Sequence, residues 1–268
     1  MRGAPVDVRN LVRNHYGAGA LDELIVSALA RHGVDVDHLR APDLFPVDQL
    51  HAGGAAATGH VLDLLALAPG ASLLDVGCGI GGASRMAAER GLRVTGIDLT
   101  PEFVEAATAL TARVGLAERA TFVTTPGEEL ALPDSSHDAA VMIHVGMNVP
   151  DKATVFAEVH RVLRPGGRFA VYEQVSTGSE DLPYPLPWAV DEQSSFVETA
   201  EDYRRHLEAA GFTVDDVVDH TAATAGGPPP GPLSPATILG PSFVERIGNN
   251  VAATRDGLLR AVILLATA

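Results

Sequence analysis

Apolar residues fall at Leu21, Leu24, Ile25, Ala28 and Leu29, the i, i+3, i+4, i+7, i+8 spacing of an amphipathic helix over 21–31. Residues 42–54, rich in Pro, Asp and Gly, break that rhythm and read as a looser connection. Periodicity returns from Ala55 to Leu67 and stops at Pro69-Gly70. Beyond this helical front end, short apolar runs alternate with helical stretches. The runs predict strands at 72–76, 93–99, 120–124, 138–145 and 168–175. Thr100-Pro101-Glu102 offers an N-cap, a proline at the first helical position and an acid in the first turn. The helix it opens aligns Phe103, Ala107, Leu110 and Val114 on one face. A helix over 151–163 turns Val155, Phe156, Val159 and Val162 inward, and Arg164-Pro165-Gly166-Gly167 stops it. Such alternation implies the α/β class, a mostly parallel sheet with helices on both faces.

The final third changes character. Residues 176–199 carry three prolines with Tyr184, Trp188 and Phe196, and they follow the carboxyl end of the fifth strand. Ligands bind at that end of open α/β sheets, so the segment reads as a lid or substrate wall, with Met147 as a further lining candidate. A helix over 200–210, a strand over 212–218, a Pro/Gly-rich loop within 225–241 and an antiparallel strand over 258–267 complete the reading. The expected organisation is an N-terminal helical cap, 1–68, on a core of 69–268.

Composition narrows the function. With 19 Lys+Arg against 34 Asp+Glu, the net charge of −15 argues against nucleic-acid backbones as partners. The single cysteine, Cys78, excludes an intrachain disulfide and a cysteine-based zinc site. The ten histidines show no i, i+4 pair beside an acid of the zincin kind. No apolar leader is visible, and 258–268 is too short, and carries Arg260, to span a bilayer. The expectation is a cytoplasmic, metal-free enzyme with a small-molecule substrate and no membrane partner; oligomeric state is not encoded in any feature of the chain.

Leu73-Leu74-Asp75-Val76-Gly77-Cys78-Gly79-Ile80-Gly81-Gly82 is a strand breaking into glycines ahead of a helix, which brings bare backbone close to a nucleotide-like cofactor. Gly77, Gly79 and Gly82 satisfy the dinucleotide pattern. Gly77, Gly79 and Gly81, with Asp75 ahead of them, equally satisfy the acidic-x-G-x-G-x-G of S-adenosylmethionine binders. Asp98, about 20 residues beyond Gly77 at the end of the second strand, is placed to accept both ribose hydroxyls, with Leu99 beside it; both cofactors predict such an acid. Asp75 leans toward S-adenosylmethionine, because an acid would repel pyrophosphate, although it serves equally to fix the loop's own groups.

Gly127-Glu128-Glu129-Leu130-Ala131-Leu132-Pro133-Asp134, followed by Asp138 at the start of a strand, resembles the adenine-contact motif of class I methyltransferases. Arg161-Val162-Leu163-Arg164-Pro165-Gly166-Gly167 is similar to their helix-to-strand turn. From Leu73 to Val175 the chain thus resembles the ubiquinone/menaquinone-biosynthesis-like group of that family. The family usually has Asp followed by a small residue where this chain has Glu128-Glu129. The resemblance implies a Rossmann-like seven-stranded sheet of order 3-2-1-4-5-7-6 and S-adenosyl-L-methionine as cofactor. It makes Tyr16, Gln49 and His51 contacts at the methionine end, and Gly127, Glu128 and Glu129 contacts at the adenine.

Methyl transfer is an in-line displacement that needs a base only when the acceptor arrives protonated. By the resemblance the fourth strand ends beside the transferred methyl, so His144 is the first candidate base, its backbone alternatively holding the cofactor's ammonium. Glu173 and His51 follow. The reading is a small-molecule methyltransferase of specialised metabolism, with O- or C-methylation favoured. A methyltransferase fold performing a non-methylating step such as cyclisation is the alternative, and a nicotinamide-dependent oxidoreductase the more distant one.

Overall fold

The computed structural model describes residues 20–178, 181–224 and 233–268. Its sheet has the order β3-β2-β1-β4-β5-β7-β6. The strands are β1 (Ser72–Val76), β2 (Arg93–Asp98), β3 (Ala120–Thr124), β4 (His137–Ile143), β5 (Leu163–Ser176), β6 (Thr213–Asp219) and β7 (Leu259–Thr267). β1 through β5 pair in parallel, and β7 lies antiparallel between β5 and β6. The helices are α1 (Leu21–Arg31), α2 (Ala41–Asp48), α3 (Gly54–Leu65), α4 (Gly82–Glu89), α5 (Pro101–Arg113), α6 (Lys152–Val162), α7 (Ala200–Ala209), α8 (Thr221–Thr224), α9 (Ala236–Leu239) and α10 (Ser242–Arg255).

The apolar faces pack as their spacing requires. Val155, Phe156, Val159 and Val162 of α6 join Leu74, Val76, Met142 and Val171 on one face of the sheet. On the other face Val61 and Leu65 of α3 meet Leu73, Val141, Ala170 and Tyr172. Leu21, Ile25 and Leu29 of α1 close over Phe103 and Leu110 of α5, so the front helices share a core with the sheet's own helix layer.

Three local expectations are corrected. Residues 42–54 are no loose connection, because Ala41–Asp48 is helical with Pro46 inside it. Burial of Ala41, Leu44 and Val47 holds that turn against the missing amide. Thr100 makes no side-chain cap on α5; its amide instead donates to Asp98 Oδ1 at 2.8 Å. The fifth strand begins at Leu163, not 168, and its pairing with β4 shifts between His137 and Ala139. Arg164–Gly167 therefore form a bulge, with Gly166 left-handed at φ 77° and its amide on the Ala268 carbonyl. Arg164 ion-pairs with Asp138, which also accepts from the Ser72 amide at 2.8 Å and is held down to about 2 by those bonds. α10 has no counterpart in the sequence reading. Tyr16 and residues 225–232 of the Pro/Gly-rich loop lie outside the described residues.

Candidate active site

The glycine loop leaves β1 and enters α4 through three left-handed residues, Gly77 at φ 72°, Gly79 at 54° and Gly81 at 84°. A side chain is excluded at two of its positions by neighbours as well. A Cβ on Gly77 would lie 2.3 Å from Val145 Cγ2, and one on Gly82 2.5 Å from the Asp48 carbonyl oxygen. The loop is thus pressed between the turn after β4 and the end of α2, and the amides of Cys78 and Gly81 are held by the carbonyls of Ile97 and Cys78.

Asp98 sits at the end of β2 and ties that end to the loop. The Gly79 amide donates to Oδ2 at 2.9 Å, and Thr100 takes Oδ1. Burial raises its pKa while the two amides pull it down. Leu99 beside it is 64% exposed, an apolar surface at the mouth of the crevice. Glu128 and Glu129 are exposed on the turn after β3, and Gly127 lies within contact of Val155 and Val76 near the end of β1. Asp75 is enclosed: Ser84 Oγ of α4 donates to Oδ2 at 2.6 Å, and burial pushes the acid up to about 6.

A buried polar chain runs from α2 into the crevice. Arg85 of α4 pairs with Asp48 at 2.9 Å, both side chains fully buried. Gln49 Nε2 donates to Asp48 Oδ1 at 2.8 Å, which turns Gln49 Oε1 toward Thr58 and His51. Thr58 Oγ1 meets that oxygen at 2.7 Å and His51 Nε2 at 3.0 Å. His51 Nδ1 faces the Ala52 carbonyl at 3.0 Å. Both ring nitrogens of His51 are therefore engaged within the protein.

His144 differs. It follows β4 at a left-handed φ of 54°, with its amide on the Tyr172 carbonyl at 2.8 Å. Its ring lies 4.8 Å from that of Tyr172 and 5.6 Å from that of His51. The buried Nε2 has no partner among the described residues. Burial first, and the neighbouring His51 second, hold its pKa well below the ordinary histidine value, so the ring is neutral at neutral pH. Tyr172 Oη donates to the Ala52 carbonyl at 3.0 Å and anchors the α2–α3 junction to β5.

Glu173 neighbours Tyr172 in β5, so its side chain leaves the opposite face of the sheet. It is fully buried, and Oε1 accepts the amides of Val145 at 2.9 Å and Gly146 at 2.7 Å. The structure thus brings Gln49, His51 and His144 together and sets Glu173 behind them.

Of the proposed wall, Trp188 and Met147 belong to a buried hydrophobic cluster with Leu186, Ala189, Ala253 and Leu259. The 182–199 segment is bound down. Lys152 Nζ donates to the Phe196 carbonyl at 2.7 Å, the Phe196 amide to the Met147 carbonyl at 2.9 Å, and Arg246 and Asn249 of α10 to the carbonyls of Leu186 and Pro185. Among the described residues no group of three or more His, Cys, Asp or Glu is arranged to hold a metal, and no helix is long and apolar enough to cross a membrane.

The sheet order is the one that the resemblance to class I methyltransferases implied. Residues 74–171 match the family described as Methyltransferase domain. That segment, somewhat over a third of the chain, is therefore similar to a methyltransferase domain, and the nicotinamide reading gains no support from it. The chain is 35% identical over 159 residues to 2-methyl-6-phytyl-1,4-hydroquinone methyltransferase of Synechocystis, covering 56% of this chain and 49% of that one. It spans half or less of the length of the curated relatives that head its matches. In fold it is similar to geranyl diphosphate C-methyltransferase of Streptomyces coelicolor (TM-score 0.67, 20% identity, 93% and 98% of the two chains). It is equally similar to the [4+2]-cyclase SpnF (TM-score 0.64, 23% identity, 92% and 94%).

Proposed function

We propose that this chain methylates a small molecule with S-adenosylmethionine, its own part being to hold that cofactor at the glycine loop and to offer His144 to the acceptor. The observation that carries the reading is the meeting, at the carboxyl ends of β1, β2 and β4, of a left-handed glycine loop, Asp98 and a neutral histidine with a free nitrogen. In this assignment Asp98 takes the ribose hydroxyls, the exposed Leu99 covers a face of the adenine, and Gly127, Glu128 and Glu129 meet its edge. Gly77, Gly79 and Gly81 supply close backbone, and Gln49 with His51 borders the methionine end. The cofactor, when bound, supplies an electrophilic methyl on a sulfonium.

His144 Nε2 is buried with a free lone pair or proton beside His51 and Tyr172, whereas the unpartnered Glu173 Oε2 lies on the α7 side of the sheet, so of the three basic candidates we assign His144 to take a proton from the acceptor. His51 is engaged at both nitrogens, which makes it part of the wall that orients His144. Alignment and exclusion of water supply most of the rate, worth roughly 7–11 kcal/mol in the best cases, and a base adds about 10²–10⁴-fold. Carbon is the favoured acceptor atom, since the relatives are named as C-methyltransferases of sterols and of geranyl diphosphate. We assign the work to the cytoplasm and to a small-molecule acceptor, with no nucleic-acid partner.

Calorimetric titration with S-adenosylmethionine, S-adenosylhomocysteine and NAD tests the cofactor. Micromolar binding of the first two and none of NAD is expected; the reverse removes the proposal. The likeness to a cyclase favours one second reading, a cofactor bound without methyl transfer. Release of S-adenosylhomocysteine on turnover of a methyl acceptor separates the two.

A further inference from the structure

We infer that Glu173 is a positioning residue whose side-chain oxygen Oε1 fixes the turn 144–146, and through that turn both the His144 ring and the glycine loop. The inference rests on the site assignment above for its functional meaning, and on geometry for its content. Three consecutive residues carry the argument. His144 holds a left-handed φ that a non-glycine residue keeps only when its surroundings impose it. Val145, next in the chain, puts its side chain into the space beside Gly77 where a Cβ would lie 2.3 Å from Cγ2. Gly146 lies under the Tyr203 ring, so tightly that a Cβ there would fall 2.2 Å from the hydroxyl. One side-chain oxygen, Glu173 Oε1, accepts the amides of both Val145 and Gly146. No other side-chain acceptor meets either amide among the described residues.

The same environment argues against a proton-accepting role in contact with the acceptor. Glu173 is fully buried on the α7 side of the sheet, among Val171, Val175 and Tyr203, whereas His144 packs on Tyr172 on the other side. Glu173 Oε2 and Tyr203 Oη are both buried without a partner among the described residues, and Lys152 Nζ stands 5.5 Å over the Tyr203 ring. Burial pushes the acid up to about 8, so near neutral pH it is largely the neutral acid, with Oε1 still available to accept. What the turn requires from position 173 is an acceptor oxygen at one place, which an amide supplies as well as an acid.

The test compares Glu173→Gln with Glu173→Met. It uses calorimetry with S-adenosylhomocysteine and the His144 imidazole resonances in the full-length protein, assigned by loss in a His144→Gln variant. Gln keeps the acceptor oxygen and Met the volume alone. The glutamine variant is expected to bind within about twofold of the parent and to leave the His144 signals in place. The methionine variant is expected to bind at least tenfold more weakly and to shift them. Parent-like behaviour of the methionine variant, or equal loss in both variants, overturns the inference. Should the methionine variant not fold, Glu173→Asp, a methylene too short to reach both amides, takes its place with the same expectation and the same reversal. A parent protein that fails to bind S-adenosylhomocysteine would sink the functional assignment instead, and the His144 resonances would still decide whether Glu173 sets the turn.

Discussion

At the scale of single residues, the site depends on which polar atoms the protein has already used. Asp98 ties the Gly79 amide through one oxygen and the Thr100 amide through the other, and the site assignment gives the ribose hydroxyls to its remaining acceptor capacity. Asp98→Ala is therefore expected to weaken S-adenosylhomocysteine binding at least tenfold, about 1.4 kcal/mol; a calorimetric Kd equal to the parent's would refute the ribose assignment. His144 is the opposite case, a buried ring with nothing bound at Nε2. Burial disfavours its charged form, so it should remain neutral at pH 6.5, where an ordinary exposed histidine is about half charged. Long-range ¹H–¹⁵N spectra report this directly, and an imidazolium pattern at that pH would end its candidacy as base. The resemblance puts His144 first, with Glu173 and His51 after it. The physical ground for separating them lies in their hydrogen bonds and strand face, because a sequence does not show which face of β5 a side chain leaves or whether a nitrogen is already engaged.

At the scale of elements, the parts read correctly from sequence were those whose period matched their burial, such as α6 with its four buried apolar residues. Those missed had a local signal opposed by packing. Pro46 and the surrounding Asp and Gly disguised α2, which the burial of Ala41, Leu44 and Val47 nonetheless holds helical. In α10 the glycine at 248 and the buried Arg246 obscure a stripe that Phe243 and Ile247 begin, although that helix binds down the 182–199 wall through Leu186 and Pro185. The α2–α4 link is equally invisible in sequence. Its Arg85–Asp48 pair has both side chains out of water, so losing one partner strands the other charge. Arg85→Met is expected to cost about 3–5 kcal/mol in urea denaturation. The double change with Asp48→Leu should recover much of it, and equal destabilisation in both would show that the pair itself contributes nothing.

For the whole molecule, the buried titratable groups set how stability depends on pH, and their signs oppose one another. Asp75, pushed up to about 6, and Glu173, pushed up to about 8, are protonated in the folded chain where the unfolded chain has released its protons. Their stabilisation is complete below pH 4 and is lost as pH rises through the folded values. His51, His137, His144 and His220 are shifted downward, so their contribution falls away as pH drops below the ordinary histidine value. Between about pH 4.5 and 6.5 the two sets offset each other. Between 6.5 and 8 the unfolded histidines finish releasing their protons and Asp75 is nearly spent, so of the two acids only Glu173 still loses stabilisation across the interval. One proton contributes about 1.4 kcal/mol per pH unit, so the acid at 173 should cost the parent about 2 kcal/mol across that interval relative to a variant without it, the histidine contribution being common to both. Glu173→Gln removes the titration while keeping the oxygen that holds the turn. The change in urea midpoint from pH 6.5 to 8.0 should therefore be clearly less favourable in the parent than in the variant. An equal change in both proteins would mean that the acid at position 173 is ionised throughout, and that burial does not govern its charge.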